Sequence, residues 1–122
     1  MKFTTEKFGN KKGIVKFPDH YVNLAVTVSD AGVSAQNGKK IVPAGTILGG
    51  GVLEDDTVLA VKATTEEEGG SNAEGVLFED VDVTHGPASG ALLIHGFVAL
   101  NKLPTAPTAE EKAVLKQITF VR

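Results

Sequence analysis

Hydrophobic and polar residues alternate most regularly between residues 21 and 28. Every second position from Val22 to Val28 carries an aliphatic side chain, and the residues between them are smaller or polar. A period of two matches a β-strand, in which successive side chains point to opposite faces of the sheet. We therefore predict a strand over residues 21–28 with one buried face.

Other stretches rich in aliphatic and β-branched residues predict more strands. They are residues 57–63, 76–83, 91–100 and 118–121. Two shorter apolar runs, residues 41–42 and 47–48, flank a Pro-Ala-Gly-Thr sequence that is typical of a turn. Residues 85–90, His-Gly-Pro-Ala-Ser-Gly, predict a turn between two of the longer strands.

The stretch at residues 91–100 is apolar at both sets of alternating positions. Such a strand is covered on both faces, either by its own chain or by another subunit. One alternating set is therefore a candidate subunit interface. Its members are Leu93, His95, Phe97 and Ala99.

Only one helix is clearly indicated, near the end of the sequence. Thr108 is a candidate N-cap, and Glu111 follows three residues later, the spacing of a capping box. Apolar residues then recur at helical spacing and predict one buried stripe. They are Ala109, Ala113, Val114, Leu115 and Ile118.

Length and composition fit one folded domain. The chain has 122 residues, of which 42% are hydrophobic and 22% are charged. Its 14 glycines provide for many tight turns. We predict a mainly β, compact single domain over residues 14–122, with one short C-terminal helix.

The first 13 residues form a separate unit in this interpretation. They carry four lysines and two phenylalanines, although the chain has a formal net charge of −3. The two aromatic residues have no evident place in the predicted core, so we expect a flexible arm that binds a partner. The candidate binding residues are Lys2, Phe3, Thr4, Thr5, Lys7 and Phe8.

Charge and composition disfavour several classes of function. The acidic balance provides no basic patch for neutralising phosphates, so nucleic acid is not an expected partner. No run approaches the ~20 apolar residues that a membrane helix needs. Cysteine is absent, which excludes a disulfide framework and thiolate chemistry.

The strongest candidate for chemistry is the trio of Asp80, Asp82 and His85. Two carboxylates and an imidazole are suited to metal binding or acid–base catalysis, but no further ligands follow at a familiar spacing. His95 lies in an apolar strand and is interpreted as a core or interface residue, and His20 as a turn residue. The triple glycine at residues 49–51 lacks the Lys-Ser/Thr ending of a phosphate loop. We expect no catalytic residue, metal or cofactor, and no enzyme activity.

Three stretches nevertheless form a pattern that resembles a known family. Residues 73–84 read Ala-Glu-Gly-Val-Leu-Phe-Glu-Asp-Val-Asp-Val-Thr, and residues 94–103 read Ile-His-Gly-Phe-Val-Ala-Leu-Asn-Lys-Leu. Upstream, residues 42–49 read Val-Pro-Ala-Gly-Thr-Ile-Leu-Gly. In order and spacing these stretches, with residues 108–122, resemble the lambda-type bacteriophage head decoration proteins, in the version found in phages of Gram-positive hosts. His95 departs from the pattern, since a threonine or similar residue is expected there.

The resemblance implies a fold, partners and a location. The fold is a β-tulip-like barrel or sandwich. The partners are the major capsid protein, which the N-terminal arm contacts, and two further copies of the chain in a homotrimer at three-fold positions. Such proteins stabilise the expanded capsid against the pressure of packaged DNA. They lie on the exterior of the virion and, during assembly, in the host cytoplasm.

Two other classes of function compete with this interpretation. One is a different β-rich binding module, such as a phage tail or baseplate component or a carbohydrate-binding domain. Sugar binding uses exposed aromatic rings, and the chain has one tyrosine, six phenylalanines and no tryptophan. The other is an enzyme that uses Asp80, Asp82 and His85.

Overall fold

A computed structural model describes residues 13–66 and 70–122. Apart from Gly13, the predicted N-terminal arm lies outside the described residues. In the described part the fold is mainly β with one short helix, which confirms the predicted fold class. The strands are β1 Tyr21–Val28, β2 Ile41–Val42, β3 Ile47–Gly49, β4 Val61–Lys62, β5 Thr65–Glu66, β6 Gly70–Ser71, β7 Ala73–Leu77, β8 Val81–Asp82, β9 Ala88–Ala99 and β10 Ile118–Val121, and the helix α1 is Ala109–Val114.

The main sheet is built around β9, the longest strand. Its strands follow the order β1-β9-β7-β3-β4, and β10 pairs in parallel with the C-terminal half of β9. Ala60, next to β4, exchanges backbone hydrogen bonds with Thr27 and Ser29 at the end of β1. These bonds connect the two ends of the strand order, so the sheet closes towards a small barrel.

The core consists of two clusters on opposite sides of β9. Leu92 belongs to one cluster and Leu93 to the other, because neighbouring side chains on a strand point to opposite faces. The strand is therefore covered on both faces by its own chain. Leu93 is 0% exposed and Ala99 is 6% exposed. Leu93 and Ala99 are thus covered within the single chain, whereas His95 and Phe97 keep some exposure, and the subunit interface itself stays a prediction.

Strand β1 has the predicted bounds but a different exposure at its start. Val26 and Val28 are buried as expected, whereas Val22 is 49% exposed. The pairing with β9 shifts between Val22 and Asn23, where a β-bulge interrupts the ladder. The unpaired residue of the bulge is Ile94 of β9, and beyond it Val22 pairs with His95, which is itself only half-buried. The alternation of β1 therefore continues, but its first residues lie at the edge of the core.

Two predicted strands are shorter in the structure. Residues 57–59 belong to no strand and Ala60 makes only an isolated bridge to Val28 before β4. The Asp55 carboxylate stabilises the turn here by accepting hydrogen bonds from the amide and hydroxyl of Thr57. Residues 76–83 are divided into β7 and β8 by an exposed turn at Glu79 and Asp80. Strand β8 then pairs with β2 and not with the main sheet.

The capping box of α1 is confirmed, but the predicted apolar stripe is not. Thr108 Oγ1 accepts a hydrogen bond from the Glu111 amide, and the Glu111 carboxylate accepts one from the Thr108 amide. No residue of the helix itself is buried. The helix has only six residues, and the chain buries Leu115 and Ile118 just after it ends.

An internal carboxylate occupies the loop at the triple glycine. Glu74 Oε1 accepts hydrogen bonds from the amides of Gly51 and Val52 at 2.7 and 2.8 Å, and Oε2 accepts one from Leu53 at 3.4 Å. Consecutive amides that converge in this way form an anion-binding nest. The nest is filled by a side chain of the same protein, which explains the loop without a phosphate.

Removing that carboxylate is expected to destabilise the fold. Glu74→Ala leaves the amides of Gly51 and Val52 without their acceptor, which costs about 1–3 kcal/mol of unfolding free energy. Glu74→Gln is the matched control, because its amide oxygen can still accept both of the shorter hydrogen bonds. Urea unfolding should therefore give the stability order wild type, Gln, Ala. Equal stability of Glu74→Ala and wild type would show that the nest contributes nothing.

Candidate functional site

The predicted trio of Asp80, Asp82 and His85 does not form one site. Asp80 Oδ1 accepts a hydrogen bond from the Ala44 amide at 2.7 Å, and Asp82 accepts from the amide and hydroxyl of Thr84. The two hydrogen bonds from Thr84 lower the pKa of Asp82. Each carboxylate therefore holds a turn in place. Within residues 13–66 and 70–122, no three His, Cys, Asp or Glu side chains are grouped as metal ligands.

The structure instead brings together two histidines that are 75 residues apart in sequence. His20 Nε2 lies 3.1 Å from His95 Nε2, and His95 Nδ1 lies 2.9 Å from Gln117 Oε1. His20 and Gln117 are exposed, and His95 is half-buried. Neither segment carries a local signal for this contact, since the two histidines lie far apart in sequence and only the pairing of β1 with β9 brings them together.

Aromatic rings lie beside the histidine pair. Phe17 meets Phe97 edge to face at 5.3 Å between ring centroids, and the His20 ring lies 6.0 Å from Phe97. Tyr21 stacks on Phe78 at 5.1 Å. Phe17 is 48% exposed and Tyr21 is 40% exposed. Val22 pairs with His95 in the β1–β9 ladder and lies on the same side as the histidine pair, whereas Tyr21, the preceding strand residue, points to the opposite face. We refer to Phe17, His20, Val22 and Phe97 as the aromatic surface.

The segment before β1 positions this surface. Ile14 is completely buried, and its carbonyl accepts a hydrogen bond from the Ala99 amide at 2.7 Å. The Lys16 amide donates to the Phe97 carbonyl at 2.8 Å. These contacts fix residues 14–16 along the C-terminal half of β9 and place Phe17 over Phe97. The predicted arm therefore joins the folded domain only a few residues from the aromatic surface.

A separate cavity of about 280 Å³ lies between several loops and strands. It is bordered by residues 28–29, 31–33, 41–43, 45–48, 60–62, 104–106 and 111, and its lining is mainly aliphatic. Lys62 and Glu111 are the charged residues among those that line it. No histidine or aspartate lines this cavity, so its walls provide few groups for acid–base chemistry.

Comparison of the sequence with protein-family models and with curated proteins found no match. No helix in the described part of the chain is long and apolar enough to cross a membrane. The class of protein is therefore described from its fold and exposed side chains alone. It is a small β-rich domain with an exposed aromatic surface close to its N-terminal segment.

Proposed function

We propose that this protein is a structural binding module, and specifically a head decoration protein that binds the outside of an expanded phage capsid. The observation that carries the proposal is the aromatic surface beside the start of the folded domain. In this proposal the arm and the aromatic surface bind the major capsid protein together. Three copies occupy each three-fold position and stabilise the head against DNA pressure.

Exposed rings on so small a domain favour a protein partner. Aromatic residues are enriched in the cores of protein interfaces, where they bury a large area with little loss of side-chain freedom. Phe17 and Val22 are each about half exposed in the single chain. Covering them would remove apolar area from water, which contributes roughly 25 cal/mol for each Å².

The closed sheet favours the same kind of association. A barrel leaves few unpaired strand edges, so a partner has little opportunity to extend the main sheet of this domain. Two modes of binding a partner then remain. The domain can bind through side chains on its surface, or the arm can add a strand to a sheet of the partner. His95 and Phe97 are the two interface candidates that keep some exposure.

Truncating the aromatic surface is expected to weaken capsid binding. The double variant Phe17→Ala with Val22→Ala should lower the affinity for expanded capsids by about tenfold or more, the usual loss for central interface anchors. Co-sedimentation with expanded capsids that lack a decoration protein measures this affinity. The thermal midpoint, measured in parallel, reports whether the variant is folded.

Leu53→Ala is the matched control for that experiment. Leu53 is 51% exposed and is not part of the aromatic surface. Its truncation removes an exposed apolar side chain away from the aromatic surface, so it should leave capsid binding unchanged. Equal binding by a folded double variant and by wild type would contradict the role of this surface.

A further inference from the structure

The spacing of the two histidine nitrogens matches that of two ligands on one metal ion. Nitrogens about 2.0–2.1 Å from a metal lie about 3.3 Å apart in a tetrahedral site and about 2.9 Å apart at a right angle. His20 Nε2 and His95 Nε2 lie between these values, at 3.1 Å. The two ring centroids are 5.0 Å apart, and the ring planes make an angle of 64°.

Gln117 orients His95 for this role. When Nδ1–H donates to Gln117 Oε1, at 2.9 Å, the lone pair of the neutral ring is on Nε2. This nitrogen faces His20 and, without a metal, accepts a hydrogen bond from His20 Nε2–H at 3.1 Å, which a bound metal ion would replace. Histidines that bind metals typically donate their other N–H to an oxygen acceptor, which fixes the tautomer and raises the basicity of the ligand.

The local backbone holds His20 near its partner. Gly96 follows His95, and a Cβ at this glycine would lie only 3.1 Å from Tyr21 Cβ and 3.2 Å from the His20 carbonyl. The absence of that atom allows the segment to approach β9 closely. The His20 amide also donates to the Phe17 carbonyl at 3.2 Å. The backbone at His20 is thus held beside β9, which reduces the ordering cost of binding.

We propose that His20 and His95 form a binding site for a divalent transition metal ion such as Zn²⁺, Ni²⁺ or Cu²⁺. The protein supplies two nitrogen ligands, and water fills the remaining positions, since His20 is open to solvent. Imidazole ligands suit these ions, whereas Mg²⁺ and Ca²⁺ prefer oxygen. The site departs from the expectation of a metal-free protein, in which His20 is interpreted as a turn residue and His95 as a core or interface residue.

Titration calorimetry of the full chain with ZnCl₂, NiCl₂ and MgCl₂ at neutral pH tests the site. We expect one Zn²⁺ or Ni²⁺ to bind each chain and Mg²⁺ to give no signal. His20→Ala should weaken Zn²⁺ binding by about tenfold or more, because a single imidazole remains. His85→Ala is the matched control, since His85 is the third histidine and lies outside the pair, and it should bind like wild type. Absence of Zn²⁺ binding, or equal binding by His20→Ala, would overturn the proposal.

Two variants of the exposed Gln117 separate metal binding from a purely structural role. Gln117→Glu should tighten Zn²⁺ binding because a carboxylate accepts more strongly from His95 Nδ1–H, and Gln117→Leu should weaken it by about tenfold. The thermal midpoints of the metal-free variants serve as the folding control. Identical Zn²⁺ affinities for the two folded variants would contradict the assigned role of His95.

Discussion

Gly75→Ala is expected to lower the free energy of unfolding by about 3 kcal/mol or more. A Cβ at this position would lie 2.6 Å from the Leu93 carbonyl oxygen and 2.6 Å from Leu92 Cγ. Both atoms belong to β9, the central strand of the sheet. Because β7 pairs with β9 at Val76 and Leu77, the added methyl group cannot be relieved without moving the two strands apart.

Urea unfolding of Gly75→Ala and of Gly90→Ala provides the comparison. At Gly90 the added Cβ would meet the Cγ2 atoms of Val81 and Val28 at 2.9 and 3.1 Å, and side-chain ends can adjust. We therefore expect a loss of only about 1 kcal/mol for Gly90→Ala. A Gly75→Ala protein that unfolds within 1 kcal/mol of wild type would contradict the close packing of β7 on β9.

Deleting residues 2–11 is expected to abolish binding to expanded capsids and to leave the thermal midpoint of the free protein nearly unchanged. Ile14 is the first fully buried side chain among the described residues, so the deletion retains Lys12 and Gly13 before the core. Ordering an arm costs about 1–2 kcal/mol for each residue fixed. Side-chain anchors must offset that cost, and Phe3 and Phe8 are the residues suited to it.

Point variants of the arm distinguish aromatic anchoring from charge. Phe3→Ala with Phe8→Ala removes about 3 kcal/mol of apolar burial, which corresponds to roughly a 100-fold loss of affinity. Lys2→Ala with Lys7→Ala is the matched control and should cost less than about tenfold, with a dependence on salt. Wild-type decoration by the deletion variant, or its failure to fold, would contradict the arm assignment.

Local patterns in the sequence predicted the elements that depend on local chemistry. The alternation at residues 21–28 gives β1, and the Thr108–Glu111 spacing gives the capping box of α1. In both cases the determining residues are close together along the chain. The apolar run on both faces of residues 91–100 correctly indicated a strand buried on two sides, although its own chain provides the cover.

The histidine pair and the filled nest depend on contacts between distant segments. His20 meets His95 because the segment before β1 runs beside β9, and Glu74 reaches the Gly51 amide across 23 residues. Neither pairing has a signature in either segment alone. A side chain that appears in sequence as an ordinary turn or strand residue thus acquires its role only through the pairing of strands.

Imaging of expanded phage capsids after mixing with the purified protein tests the central claim most directly. The capsids must lack a decoration protein of their own, and the chain must be present at a saturating concentration. If the protein is a head decoration protein, we expect three copies of the domain around each three-fold and quasi-three-fold position, on the outer surface of the shell. Bare capsids, or single copies bound away from those positions, would contradict it.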